Sequence, residues 1–98
     1  SMAEWSPARR HEGRASLYGN LLHQVEAAGG RIAGMIWYQG EGETNPGLQD
    51  PFEKTWLDFV DQLRRDTNLP DLPILTVQIS RYCLDTDPNY ALAWEAVR

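Results

Sequence analysis

The sequence predicts an α/β unit built on parallel strands, and three observations carry that expectation. Residues 31–38 and 73–79 are two short strand-like runs rich in apolar residues. Between them lies a segment with an apolar stripe at helical spacing. The first run is apolar on both faces and bounded by glycines, the pattern of a buried parallel strand rather than a half-exposed one. A strand, a helix and a second strand in this order predict a right-handed crossover with the strands parallel.

The elements follow in order. The first 15 residues are polar and show no clear period, so an irregular segment is expected there, with Ser1-Met2 reading as a tag remnant ahead of an initiator. Residues 16–98 form the structured unit. Leu17, Leu21, Val25 and Ala28 fall on one face of a helix from Ser16, which Gly29-Gly30 stops. Arg31–Tyr38 is the first strand, and residues 39–49 form a loop rich in Gly, Glu, Asn and Pro. Asp50-Pro51-Phe52-Glu53 starts a second helix, with Asp50 as cap and Pro51 at the first helical position. Phe52, Trp56, Phe59, Val60 and Leu63 make its apolar stripe, Asp61 and Arg65 pair across one turn, and Asn68 and Pro70 end it. Pro73–Ile79 is the second strand, residues 81–88 a loop, and Asp87-Pro88 opens a third helix. The order is α-β-α-β-α.

Composition bounds the function. Ninety-eight residues make one domain at most, with 42% hydrophobic and 23% charged residues, ordinary globular usage. The formal net charge of −5 disfavours nucleic acid, whose binders show a basic face. The longest apolar run, Ile32–Tyr38, is far short of the roughly 20 residues that span a bilayer, so no membrane partner is expected. Cys83 is the single cysteine, which rules out an intrachain disulfide or a cysteine zinc cluster. No metal or cofactor is expected. Two parallel strands are few for a sheet of this class, and Arg98 falls inside a helical pattern, so the sequence reads as a segment of a larger protein. Unpaired strand edges predict a homo-oligomer or a complementing chain.

Open α/β sheets bind ligands at the carboxyl ends of their strands. The segment there is Trp37-Tyr38-Gln39-Gly40-Glu41-Gly42-Glu43-Thr44-Asn45, in which an amide, two glycines and two carboxylates directly follow a buried strand. From the residues alone this is either a functional loop or a turn with solvated acids. Gly40-x-Gly42 lacks the third glycine of a dinucleotide fingerprint, since Asn45 stands in its place. A glycosidase pair of Glu41 and Glu43 is a further alternative, which nothing else in the segment supports.

Trp37-Tyr38-Gln39-Gly40-Glu41 resembles the Trp-Tyr-Gln-Gly-Glu signature of the sialate O-acetylesterase and acetylxylan esterase group of the SGNH hydrolase superfamily. Ser16-Leu17-Tyr18, Leu72-Pro73-Ile74 through Val77-Gln78, and Ala93–Arg98 resemble flanking segments of that family, so the likeness covers roughly residues 16–98. The resemblance implies a fragment of a flavodoxin-like three-layer α/β/α fold and a serine esterase that removes acetyl groups from sugars, with an acetylated sugar as substrate. It gives catalytic roles to Gln39, as oxyanion donor, to Gly40, as a tight turn, and to Glu41, with Glu43 and Asn45 in substrate contact. The sequence departs from the commoner pattern at Gly42, where serine is usual, and at Glu43, where Asp or Asn is frequent. The family's nucleophile lies in a Gly-Gln-Ser-Asn-like block and its base in an Asp-x-x-His block. Ser1, Ser6, Ser16 and Ser80 lack the first setting, and His11 and His23 lack the second. Nucleophile and catalytic histidine are therefore expected outside this chain, which alone should be inactive. The competing reading is a non-catalytic α/β interaction or assembly module derived from that fold.

Overall fold

The computed structural model describes residues 1–44, 51–79 and 88–98, the last stretch with side chains from residue 91. Helix α1 spans Leu17–Ala27, strand β1 Met35–Trp37, helix α2 Phe52–Asp66, strand β2 Ile74–Thr76 and helix α3 Pro88–Val97. Both strands are shorter than the apolar runs that predicted them. They pair in parallel, with Met35 opposite Ile74, Ile36 opposite Leu75 and Trp37 opposite Thr76. This is the expected α/β arrangement in an open two-stranded sheet.

The helix ends follow from local chemistry. Ser16 Oγ accepts from the Gly19 N–H at 3.0 Å and caps α1. At its other end Gly29, at φ +97°, takes the left-handed conformation. Its N–H donates to Glu26 O and that of Gly30 to Val25 O, the paired bonds of a Schellman close. Helix α2 closes the same way on Asn68, at φ +54°, with Asn68 N–H on Arg65 O and Leu69 N–H on Arg64 O. At its start Pro51 stands at the cap position rather than the first helical one, with no side-chain cap bond. Asp50 and Asp87, read as caps, lie outside the described residues.

The core is an aromatic cluster between α2 and one face of the sheet. Trp37 of β1 lies 5.0 Å from Phe59 and 5.0 Å from Trp56, ring centre to ring centre. Trp5 meets it edge-on at 5.2 Å, and Tyr18 meets Phe59 edge-on at 5.9 Å. Tyr18, Phe59 and Leu63 are fully buried, joined by Met2, Trp37 and Leu72.

Two expectations change here. The first 15 residues are not irregular. They form two 3-10 segments, Met2–Trp5 and Pro7–Ala15, with Met2 in the core and half-buried Trp5 packed against it. Their apolar contribution is two residues in a polar stretch, too sparse to show a period. The buried face of α1 is also turned from the expected one. Tyr18 and Val25 are buried with Leu21 and Leu22 beside the core, while Leu17 and Ala28 are exposed. With this face inward, the Tyr18 ring packs in the core and its hydroxyl donates to Asp66 Oδ2 at 2.6 Å, with Arg10 on the other oxygen at 2.7 Å.

The sheet is covered on one face only among the described residues. Ile36 is 70% and its partner Leu75 63% exposed, with Tyr38 and Val77 open on the same side. The doubly buried strand expected from the apolar run is thus half met.

Burial pushes the Tyr18 hydroxyl well above the usual tyrosine range, and the Asp66 hydrogen bond adds to the shift. The folded chain therefore keeps this proton where the unfolded chain loses it. Stability from this group is complete below about pH 10 and falls as pH rises beyond it. Tyr18→Phe should flatten that alkaline decline, measured as denaturant midpoints across this range. An unchanged slope would assign the decline to other groups.

Candidate functional site

The chain leaves the sheet at Trp37 and turns at once. Tyr38 points to solvent, Gln39 is half-buried and Gly40 is buried. Gly40 adopts φ +143°, a conformation side chains rarely tolerate. A Cβ built there would stand 2.9 Å from Val97 Cγ1 and 3.4 Å from Ile79 Cδ1. Glycine is thus required twice, by the backbone angle and by the close approach of α3. The 3-10 turn Glu41–Thr44 follows, held by Glu43 N–H on Gly40 O at 3.1 Å and Thr44 Oγ1–H on Glu41 O at 2.7 Å.

This turn brings the predicted residues together in an unexpected division of labour. Glu43 is buried, 4% exposed. Its Oε2 accepts from Gln39 Nε2 at 3.0 Å, and its Oε1 accepts from the Met2 backbone N–H. Gln39 Oε1 and Trp37 Nε1 are buried with no partner among the described residues. Glu41 is exposed, and its Oε2 accepts from the Gly40 N–H at 3.1 Å. The acid expected at the substrate is the internal one, and Glu41 faces outward. Asn45, the other expected substrate contact, lies outside the described residues, as do Ser80 and Cys83. Met2 could not have been singled out from sequence, because its contribution is a backbone N–H.

A cavity of about 510 Å³ opens at the carboxyl ends of both strands. Gln39 and Trp37 line it with Phe52 and Trp56 of α2, Gln78 after β2, and Arg98 after α3. Its place is the one where open α/β sheets take ligands. Among the described residues no group of three His, Cys, Asp or Glu could hold a metal ion. Nor does any described serine meet a histidine. Ser16 Oγ is engaged as the α1 cap, His11 Nδ1 lies 2.9 Å from Ala8 O, and His23 is exposed on α1.

The whole chain, residues 1–98, matches the family model of a carbohydrate esterase, sialic acid-specific acetylesterase. The chain belongs to this acetylesterase family. No curated protein and no solved structure matches it. The family match takes in residues 1–15, which the motif resemblance left out, and the packing of Met2 and Trp5 gives the physical reason to count them with the rest. The family is one of carbohydrate esterases, which implies an acetylated carbohydrate as substrate class.

Gly40→Ala in this acetylesterase chain should cost about 1–3 kcal/mol through backbone strain, with the Val97 clash added. Adding Val97→Ala should recover the clash and leave the strain. Denaturation midpoints of the three variants check this, and full recovery in the double variant would show that φ +143° carries no strain.

Proposed function

We propose that this chain supplies the oxyanion-stabilising block of a serine O-acetylesterase acting on acetylated sugars, with Gln39, Gly40 and Glu41 at the reacting centre. The observation that carries this reading is Gln39 itself. It stands where β1 ends, lines the cavity at the strand ends, and has one amide hydrogen committed to Glu43. A side-chain amide has two N–H donors, so a second remains for a developing charge. The exposed Glu41 carboxylate on the Gly40 N–H supports a second donor there, since that N–H already meets an anionic oxygen.

In the proposed reaction a serine oxygen forms a bond to the acetyl carbonyl carbon while a histidine takes its proton. The carbonyl oxygen becomes an oxyanion facing Gln39. The bond to the sugar oxygen then breaks, and the histidine returns the proton to the leaving hydroxyl. Water hydrolyses the acetyl-serine by the same path. Serine and histidine of this reaction are assigned outside residues 1–98, because no serine or histidine of this sequence has the family's neighbours. A donor without a nucleophile polarises a carbonyl and cleaves nothing. Asn45 keeps its proposed contact with the sugar.

In the full-length protein, Gln39→Ala should lower kcat by about 10²–10³ with a smaller change in KM, because the amide meets full negative charge only in the transition state. The 98-residue chain alone should give no turnover of an acetyl ester above background. Unchanged kcat in Gln39→Ala would overturn the oxyanion role. Turnover by the short chain that a serine reagent abolishes would overturn the division of the catalytic groups.

The open sheet face favours a second reading, an assembly module in which Ile36, Tyr38, Leu75 and Val77 seat against a second copy. Light scattering should then show a dimer. A dispersed monomer at high concentration would set this reading aside.

A further inference from the structure

The turn after β1 buries a carboxylate, and burial of a charge is costly unless hydrogen bonds satisfy it. Glu43 meets that demand with two N–H donors, one four residues away and one from the N-terminal segment. Gln39 Nε2 donates to Oε2 at 3.0 Å, and the backbone N–H of Met2, itself 3% exposed, donates to Oε1. The Glu43 backbone is fixed as well, by its own N–H on Gly40 O. The carboxylate is therefore held from three sides: by the turn that carries it, by the N-terminal segment, and by the Gln39 amide.

We infer that Glu43 is a positioning residue whose buried carboxylate fixes which end of the Gln39 amide faces it and ties that amide to the N-terminal segment through Met2. The inference rests on the oxyanion reading of Gln39 and deepens it. An ionised carboxylate only accepts hydrogen bonds. The Gln39 amide has two ends of nearly equal shape, one a donor and one an acceptor. Turned the other way, Oε1 would face Oε2 and set two acceptors against each other. Glu43 thus rejects that orientation and holds Nε2 in place, and Gln39 Oε1 stays buried with no partner among the described residues. A neutral glutamine at position 43 could donate or accept, and would tolerate both orientations.

One effect runs the other way. A fixed negative charge near a developing oxyanion repels it. Positioning and repulsion predict opposite signs for the same substitution, and the measured sign decides between them.

The test uses the full-length protein with 4-nitrophenyl acetate as the probe, in four forms: wild type, Glu43→Gln, Gln39→Ala and the double variant. Glu43→Gln should lower kcat by about ten- to a hundredfold with KM within about twofold, since a misplaced donor is lost to the transition state rather than to substrate binding. In the Gln39→Ala background the same substitution should cost nothing further, because Glu43 acts through Gln39. A residue that merely holds the fold would subtract its own share in both backgrounds. Unchanged or raised kcat in Glu43→Gln, or additive losses, would overturn the inference. Unchanged kcat in Gln39→Ala is a separate failure, that of the oxyanion reading. Should Glu43→Gln not fold, the wild-type protein still answers through the Gln39 side-chain amide protons, assigned by their loss in Gln39→Ala. These should exchange with solvent more slowly than those of an exposed glutamine, and exchange at the exposed rate would overturn the inference.

Discussion

Trp37 is the residue on which the arrangement turns. Its ring is held by Trp56 and Phe59 of α2 and by Trp5 of the N-terminal segment, all within 5.2 Å between ring centres. Aromatic pairs at such separations add to the burial of large apolar surfaces. The consequence reaches beyond stability. Trp37 is the last residue of β1, so a fixed ring means a fixed point of departure for the residues that follow. Gln39 and Gly40 begin two and three residues later. The reach of a short chain from a pinned point leaves them little freedom, and Gly40 spends that freedom on a backbone angle and a contact with Val97 that a side chain would forbid.

The second constraint is the buried carboxylate of Glu43. Apolar packing is non-directional and would accept the turn in several arrangements. A buried charge is more exacting, since it needs donors at defined positions. Gln39 and Met2 provide them, and through Met2 the polar demand of the turn reaches the same segment that contributes Trp5 to the aromatic cluster. Core and candidate site are thus braced by one stretch of chain. Its polar composition gives little hint of that role.

The open face of the sheet belongs with the same account. Side chains in a strand alternate between faces, so fixing Trp37 and Met35 toward α2 sends Ile36 and Tyr38 outward. Parallel strands of this apolar character occur in sheets covered on both sides. Membership of the acetylesterase family and the apolar outer face are compatible with a larger α/β fold in which this unit forms one part.

The sequence by itself determined the order of the three α-helices and two strands, the parallel pairing, the two helix stops and the family. Each of these is local or periodic: the α2 stripe from Phe52 to Leu63, the left-handed stops at Gly29 and Asn68, the five residues from Trp37 to Glu41. Tertiary structure decided the rest. The turned face of α1 brings Tyr18 onto Phe59 and its hydroxyl to Asp66, 48 residues away. The place of residues 1–15 depends on two apolar side chains finding a distant cluster. The burial of Glu43 rather than Glu41 depends on which carboxylate meets the Met2 N–H, 41 residues from Glu43. Spacing along the chain cannot show such partners, because a buried polar group takes its meaning from donors that only folding brings near.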